Sequence, residues 1–512
     1  MDRIPSFIEA IQKGYNFKGN SILLGAGMID GSVVPGVHVS VPLRTMNRHG
    51  LISGATGTGK TKTLQLLAEG LSNAGVPVML LDIKGDLSGL AAAGILNDKL
   101  KDRTQLLGID YRPSAFPVEL MTLSKEPGVR MRATVTEFGP VLLAKILDLN
   151  NTQEGILAML FKYCDDNALP LLDLKDLQRT LQWAANEGKA ALGDNYGSIS
   201  PASVGTIMRK VIALEQQDAD RFFGEKSFDI NDLMRISDDG RGMISVVRVT
   251  DLQDRPKLFS TFMLQLLAEL YASLPEAGDL EQPKLVMFID EAHLIFSEAS
   301  DVLIQQLETV IKLIRSKGVG IYFCTQNPMD IAPAVLSQLG LKVQHALRAF
   351  TANDRKSIVQ TAANYPESEF YKTEDLITQL GIGEALITLL DEKGIPTPLV
   401  ATMLCPPQSR MDILTAGEIS QLVANSALAA KYQEDIDRES AYEILNNKLQ
   451  AAQQQQAEVA AEKLSVKKQA RADKSMLEEI AESSVVKSML RTAGNTLVRS
   501  LLGSLGLSNR RR

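Results

Sequence analysis

Cysteine is scarce in this 512-residue chain, and positive charge is not in excess. The three cysteines, Cys164, Cys324 and Cys405, are widely separated and match neither a metal-binding nor a disulfide spacing, which fits a reducing compartment. The formal net charge of −7 excludes a uniformly basic nucleic-acid coat, although it leaves room for a narrow basic channel.

Long apolar runs are absent as well. No stretch of about 18 uncharged apolar residues occurs, which predicts that no helix spans a membrane. Residues 1–5 lack the charged-then-apolar pattern that opens a signal peptide. Together with the cysteine usage, these absences predict a cytoplasmic protein. A hydrophobic content of 45% and a charged content of 22% are typical of a globular chain with two or three domains.

The chain does contain a phosphate-binding loop. Residues 54–61 read G-x-x-x-x-G-K-T, after an apolar strand at 49–53 and before helical periodicity over 62–71. In this context backbone N–H groups and the helix N-terminus bind phosphates, whereas a glycine-rich turn without a ligand would not need the flanking elements. We predict that Lys60 reaches the β- and γ-phosphates of ATP and that the Thr61 hydroxyl ligates Mg²⁺. The predicted nucleotide-binding residues are Gly54, Ala55, Thr56, Gly57, Thr58, Gly59, Lys60, Thr61 and Lys62.

Strands alternate with helices through the middle of the chain, which predicts an α/β fold with a doubly wound, mainly parallel sheet. Several of the segments are almost continuously apolar, as expected for parallel strands covered on both faces. The predicted strands are 49–53, 77–82, 242–249, 284–291, 318–325, 342–347 and 384–390, and the predicted helices are 144–167, 175–188, 203–220 and 258–274.

Composition divides the chain into three parts. Residues 1–48 predict a short β-rich lead-in, with β-like pieces at 22–24 and 37–41. Residues 49–407 predict the ATPase domain, with a helical insertion at about 113–280. Residues 408–512 predict a helical, partly disordered tail that is rich in Ala, Gln, Glu and Lys.

The end of this tail combines an apolar helical stripe with positive charge. Residues 483–512 contain lysine and arginine but no acidic residue. Such a segment could bind an anionic surface or a protein groove, or it could be a solvated end without a partner. Because the predicted core strands all precede Pro406, we expect that deleting residues 420–512 leaves the ATPase fold intact.

Two acids follow the apolar strand at 284–291. We predict that Asp290 holds Mg²⁺ and that Glu291 polarises the attacking water, since phosphoryl transfer needs both a metal ligand and a group that orients the nucleophile. A solvated strand end would carry similar residues, but the phosphate-binding loop favours the catalytic interpretation. His293 fits packing or a hydrogen bond to the acidic loop better than direct catalysis.

The strand at 318–325 ends in Gln326, followed by Asn327 and Pro328. A turn explains Asn327 and Pro328 but leaves Gln326 unexplained, so we predict that its amide senses the water or the γ-phosphate. Charge developing on the phosphoryl group also calls for a further cation, often an arginine from a neighbouring subunit. The candidates are Arg348, which is preferred, Arg315 and Arg355, each of which could instead be an ordinary surface arginine.

Taken together, these motifs resemble the HerA/FtsK superfamily of ring-forming P-loop ATPases, and most of all its bacterial HerA-like proteins of uncharacterised function. The resemblance covers roughly residues 20–405 and rests on an ordered set of motifs. They are His49-Gly50 leading into Gly54–Thr61, Asp82-Ile83-Lys84-Gly85-Asp86-Leu87, Ile289-Asp290-Glu291-Ala292-His293, and Thr325-Gln326-Asn327-Pro328.

The resemblance implies a RecA-like core, a usually hexameric ring, ATP hydrolysis at subunit interfaces and a central channel that often translocates DNA. Residues 1–48 are too few for the whole β-barrel that helps HerA to dock a nuclease, which argues against a nuclease partner. The leading hypothesis is therefore an ATP-driven ring motor acting on DNA. The alternatives are an ATPase that remodels or moves protein partners through its tail, and a slow nucleotide-dependent scaffold.

Overall fold

The structure, a computed structural model, describes residues 3–459 except 124, 253–254, 279, 298–300, 435, 437, 452 and 456. The described residues form two compact units. The first comprises those of Met1–Leu149 and Ile212–Asp437, and the second those of Asn150–Val211 and from Arg438 onward. Within the described part of the chain, every helix is too short or too polar to cross a bilayer.

The chain alternates between strands and helices over most of its length. The strands are β1 Ser21–Ile29, β2 Ser32–Pro42, β3 Gly50–Ser53, β4 Val78–Asp82, β5 Val118–Thr122, β6 Val129–Arg130, β7 Ile244–Arg248, β8 Leu285–Ile289, β9 Val319–Thr325, β10 Leu341–Gln344, β11 Glu384–Leu389 and β12 Val400–Leu404. The helices are α1 Arg3–Gly14, α2 Lys60–Asn73, α3 Asp98–Leu107, α4 Val135–Ile146, α5 Asn151–Asp166, α6 Leu174–Ala185, α7 Lys189–Asn195, α8 Pro201–Glu215, α9 Pro256–Ser273, α10 His293–Ser297, α11 Asp301–Ile314, α12 Pro333–Leu336, α13 Ala352–Ala362, α14 Thr373–Gln379, α15 Ala416–Ala424 and α16 Ala427–Tyr432.

The strands of the first unit form one sheet in the order β2-β1-β12-β11-β10-β3-β9-β8-β4-β7-β5-β6. Neighbours from β10 to β6 are parallel, whereas β11, β12, β1 and β2 add an antiparallel edge. Every residue of β3, β4, β8 and β9 is buried, as expected for strands covered on both faces. The predicted α/β fold with a mainly parallel sheet is confirmed.

The first strands extend well beyond the predicted β-like pieces. β1 and β2 form a hairpin whose turn has positive φ at Asp30 (49°) and Gly31 (76°), as two-residue hairpin turns require. β1 also pairs with β12, which the sequence analysis did not identify, so the hairpin continues the main sheet. Helix α1, also not anticipated, buries Phe7 and Ile11.

The single helix predicted over 144–167 is wrong, because two helices occupy this region. α4 ends at Ile146, and Asp148 has a left-handed φ of 49°. The Asn150 side chain then accepts a hydrogen bond from the N–H of Gln153, whose side chain accepts one from the N–H of Asn150. This reciprocal capping starts α5 as a new helix.

In the second unit, residues 440–446 are bound to α6. The Asp176 carboxylate accepts hydrogen bonds from the Ser440 hydroxyl (2.5 Å) and the Tyr442 N–H (2.8 Å). Arg179 donates to Asn446 (2.7 Å), and residues 441–451 are helical.

In the first unit, Tyr432 of α16 is fully buried and lies against Phe228, with ring centroids 5.1 Å apart. The expectation that deleting residues 420–512 leaves the ATPase fold intact stays a prediction. The burial of Tyr432, Ala441 and Leu445 shows that part of this segment belongs to the cores of both units. The predicted basic end at 483–512 lies outside the described residues.

Candidate functional site

The loop at residues 54–59 begins at the carboxyl end of β3, between β10 and β9. Gly54, Gly57 and Gly59 have φ values of 151°, 77° and 115°, which L-residues with side chains rarely adopt. A Cβ atom at Gly54 would also lie 2.5 Å from the Cβ of His345. The loop thus needs glycine both for its dihedral angles and for its close approach to the end of β10.

Lys60 opens helix α2 directly after this loop and is only 6% exposed. Its Nζ donates to the carbonyl oxygens of Gly54 (2.7 Å) and Ala55 (3.1 Å). Burial lowers the pKa of Lys60, and the nearby charge of Lys84 lowers it further. A buried ammonium folded under a glycine loop is suited to bind an anion with little competition from water.

The two predicted acids follow β8, which lies between β9 and β4 in the sheet. Asp290 and Glu291 are 3% and 5% exposed. Burial raises the pKa of Asp290 to about 6, and Lys84 opposes that rise. Because β3 and β8 both run parallel to β9, the acids lie at the same edge of the sheet as the glycine loop.

The Asp290 side chain meets the chemical requirement of a cation ligand. Its Oδ2 is buried and has no hydrogen-bond partner among the described residues, although buried carboxylate oxygens are normally satisfied. Thr61, half-buried in the first turn of α2, supplies a second hard oxygen donor at this edge of the sheet. Mg²⁺ prefers such oxygen ligands, so Thr61 and Asp290 fit the predicted metal site.

Glu291 has a left-handed backbone, with φ of 45°, which is uncommon for a residue other than glycine. Its carboxylate forms an ion pair with Lys84, and its Oε2 lies 3.2 Å from Nδ1 of His293. Burial alone would raise the pKa of Glu291, but the Lys84 contact and the surrounding positive charge hold it below its ordinary value. An ionised carboxylate that accepts protons is what a general base requires.

Gln326 is exposed at the carboxyl end of β9, between the strands that carry the glycine loop and the two acids. The next residues form a turn in which Asn327 and Asp330 cap each other, so the turn accounts for Asn327 and Pro328. The sensor role of Gln326 stays a prediction.

The three candidate arginines lie in different places. Arg348 is exposed and follows β10, and its Nη1 donates to the Thr378 carbonyl (2.9 Å). Two residues earlier, the Ala346 carbonyl accepts a hydrogen bond from Ala55 of the glycine loop. Arg355 is exposed on α13, whereas Arg315 precedes the amino end of β9 and so lies at the opposite edge of the sheet.

Several contacts of the loop and α2 were not anticipated. Fully buried His345 lies 2.8 Å from the Thr63 hydroxyl, and burial together with the Lys60 charge lowers its pKa to about 4. The Lys62 Nζ donates to the Met411 carbonyl (2.5 Å). We therefore expect Lys62 to serve a nucleotide through its backbone N–H.

Glu69, about two turns further along α2 than Lys62, accepts hydrogen bonds from the N–H groups of Gln408 and Ser409 and from the Ser409 hydroxyl. These contacts join residues far apart in sequence, and neither Glu69 nor residues 408–411 form a recognisable motif. The sequence placed His345 in a predicted strand but did not predict its contact with Thr63.

Comparison with known proteins identifies a family and a fold. The family described as "Helicase HerA-like C-terminal" matches residues 31–512. A DNA double-strand break repair helicase HerA of Sulfolobus acidocaldarius is 23% identical over 367 residues, which are 69% of this chain and 64% of that protein. A probable helicase of Methanocaldococcus jannaschii, MJECL08, is 24% identical over 368 residues, with 67% and 63% covered. The chain thus spans slightly less than two thirds of the length of these relatives.

The DNA import protein CedB of Sulfolobus acidocaldarius is 25% identical over 364 residues, covering 70% of this chain and 52% of CedB. Among solved structures, the unbound bacterial conjugative coupling protein TrwBdeltaN70 superposes with a TM-score of 0.52 at 13% identity, covering 80% of this chain and 95% of that one. TrwB in complex with the ATP analogue ADPNP also gives 0.52, at 14% identity, with 79% and 95% covered. These likenesses show that the chains share a fold.

Proposed function

Because the chain belongs to the helicase HerA-like C-terminal family, we propose that it binds ATP with Mg²⁺ at residues 54–62 and hydrolyses it to ADP and phosphate. One observation carries the proposal. The buried ammonium of Lys60 and the buried carboxylates of Asp290 and Glu291 lie at one edge of the sheet, beside a loop whose dihedral angles favour glycine at residues 54, 57 and 59. Phosphoryl transfer needs this combination of phosphate cradle, cation, metal ligand and proton acceptor.

Each residue has a distinct role in the proposed reaction. The backbone N–H groups of residues 54–62 and Lys60 bind the phosphates, while Thr61 and Asp290 hold Mg²⁺. When bound, Mg²⁺ neutralises charge that develops on the phosphate oxygens. Glu291 accepts a proton from the attacking water, and Gln326 and an arginine, first of all Arg348, contact the transferring group.

We further propose that hydrolysis drives movement along DNA by a hexameric ring of this chain. The support is the family together with two similar proteins, which are named as a DNA double-strand break repair helicase and a DNA import protein. The exposed Gln326 and Arg348 are compatible with a site completed by a neighbouring copy. The chain's own charge of −7 implies that any DNA contact is confined to a local basic surface.

The test is steady-state ATP turnover with no DNA, single-stranded DNA and double-stranded DNA over a range of salt, beside a mass measurement with and without ATP. We expect ATP hydrolysis that DNA stimulates and salt suppresses, in an assembly of six copies. ATP turnover that DNA does not change would reject movement along DNA but would still support ATP hydrolysis. The absence of turnover under every condition would reject both.

A further inference from the structure

Lys84 lies in a rigid loop directly after β4. The loop is held by Asp82, the last residue of the strand, which is 0% exposed. Its carboxylate accepts hydrogen bonds from the N–H groups of Gly85 (2.7 Å), Asp86 (3.2 Å) and Leu87 (3.2 Å). These bonds hold the backbone next to Lys84 against the end of β4, so they define the position from which its side chain extends.

From this loop the Lys84 ammonium reaches Glu291 and forms an ion pair with it. The Lys84 side chain is 35% exposed and the Glu291 side chain only 6%, so a partly exposed lysine is paired with a buried carboxylate. Lys84 contacts Oε1 of Glu291, and Nδ1 of His293 lies 3.2 Å from Oε2. Lys84 and His293 are the charged or titratable side chains in ion-pair distance of Glu291 among the described residues.

Lys60, which follows the glycine loop, makes its hydrogen bonds to other groups. Lys60 donates to the carbonyl oxygens of Gly54 and Ala55, beneath the loop. The two lysines are therefore divided between two tasks, one at the phosphate cradle and the other at the predicted general base.

We propose that Lys84 is a positioning residue for Glu291, whose carboxylate it holds in one orientation at the carboxyl end of β8. The inference rests on the proposed function, because it concerns the same site. A buried carboxylate that loses its charged partner turns towards other polar groups or towards solvent. That movement would take the proton acceptor away from the water that attacks the phosphate.

The first test separates action through Glu291 from direct contact with phosphate. Single-turnover ATP hydrolysis and the Kd of a fluorescent ATP analogue are measured for Lys84→Met, Lys84→Arg, Glu291→Gln and the double variant Lys84→Met/Glu291→Gln. We expect Lys84→Met to slow hydrolysis on the order of 10- to 100-fold, as a misplaced catalytic group does, with an almost unchanged Kd. Lys84→Arg should recover most of the rate, and Lys84→Met should add nothing to Glu291→Gln.

Three results would overturn the proposal. A further loss of rate in the double variant, or a Kd weakened by Lys84→Met alone, would mean that Lys84 contacts the phosphates directly. An unchanged rate in Lys84→Met would mean that Glu291 needs no positioning by this lysine.

The second test uses the nucleotide-free protein and does not depend on turnover. Lys84→Met should lower Tm in the wild-type background but much less in the Glu291→Gln background, where the Glu291 charge is absent. Lys317→Met is the matched control, because Lys317 pairs with Glu276 (3.0 Å) just before β9, at the opposite edge of the sheet. It should change Tm equally in both backgrounds and leave the rate unchanged.

Failure of the proposed function can be distinguished from failure of the proposed role of Lys84. A wild-type protein without turnover would reject the proposed function. Equal losses of Tm for Lys84→Met in both backgrounds would reject the Lys84–Glu291 pairing itself.

Discussion

Burial controls the charge of individual side chains around the glycine loop. Burial lowers the pKa of Lys60 and of His345, the latter to about 4, and raises that of Asp290 to about 6. His345 is therefore neutral near pH 7 and adds no charge beside Lys60. The site keeps its positive charge on the two lysines and its negative charge on the acids after β8.

Replacing Lys60 by alanine should abolish ATP binding or turnover. The change removes the ammonium that we propose binds the β- and γ-phosphates, together with its two hydrogen bonds to the loop. Titration with a fluorescent ATP analogue and a steady-state assay give the two readouts. A variant with normal affinity and normal turnover would show that residues 54–61 are not the site.

Glu291→Gln should separate binding from chemistry. The amide keeps the size of the side chain but cannot accept a proton, so ATP should bind with Mg²⁺ while hydrolysis slows on the order of 10²-fold or more. Asp290→Asn is the comparison, since it should instead weaken the Mg²⁺ dependence of binding. Unchanged single-turnover hydrolysis in Glu291→Gln would assign the proton acceptor elsewhere.

Glu269 on α9 should make stability depend on pH. Burial, with the charges of Glu137 and Asp229, raises its pKa from 4.5 to about 7. Between these values the native state binds more protons than the unfolded state, so stability is full below 4.5 and is lost as pH rises towards 7. Glu269→Gln should therefore raise Tm more at about pH 8 than at about pH 5. An equal gain at both pH values would contradict the raised pKa.

At the scale of secondary-structure elements, the carboxyl ends of neighbouring parallel strands assemble the site. β3 contributes the glycine loop, β8 the two acids, β9 Gln326 and β4 the loop that carries Lys84. Ligands bind at this edge in open α/β sheets because loops from several strands converge there. The antiparallel strands β11, β12, β1 and β2 extend the sheet beyond β10, on the side of β3 opposite to the acids.

Helix α16 should contribute measurably to the stability of the first unit through Tyr432. Its ring is fully buried and its hydroxyl donates to Asp232 (2.6 Å) and accepts from the Asp229 N–H (2.9 Å). Tyr432→Ala should lower the free energy of unfolding by about 3–5 kcal/mol. Tyr432→Phe, which keeps the ring, should cost only about 1 kcal/mol.

Urea unfolding measures both variants. Equal, small effects of the two substitutions would mean that α16 is not part of the core, and would support the expectation that deleting residues 420–512 leaves the ATPase fold intact.

At the scale of the whole molecule, the proposed ring requires each site to be completed by a second copy. Arg348 is exposed, and in its own chain it donates to the Thr378 carbonyl rather than to a group of the glycine loop. An arginine that acts across an interface would be exposed in the single chain and would find its phosphate only in the assembly.

If Arg348 acts in trans, mixing Arg348→Ala with Lys60→Ala protein should restore part of the ATP turnover. Some interfaces then combine an intact Lys60 from one copy with an intact Arg348 from the other. Mixing Arg348→Ala with the double variant Lys60→Ala/Arg348→Ala is the control, because no such interface can form. A lack of recovery in an assembly proven to exchange subunits would exclude Arg348.

Much of this protein was determined by local sequence patterns. The glycine loop, the predicted strands and the two acids after β8 could be identified because their residue types follow from dihedral angles, two-sided burial and phosphate chemistry. β5, β6 and β12 were missed, since short strands are stabilised by neighbours that come from distant parts of the chain.

Only the tertiary structure decided which groups meet. Lys84 and Glu291 are separated by more than two hundred residues, and so are Glu69 and Ser409 and the pair Thr63 and His345. Their contacts depend on the order of strands in the sheet, and no spacing along the chain encodes that order. The sequence by itself therefore determined which residue types are available for the proposed chemistry. The strand order decided which group each lysine contacts. Burial and distance set electrostatic energies, and both arise only when the chain is folded.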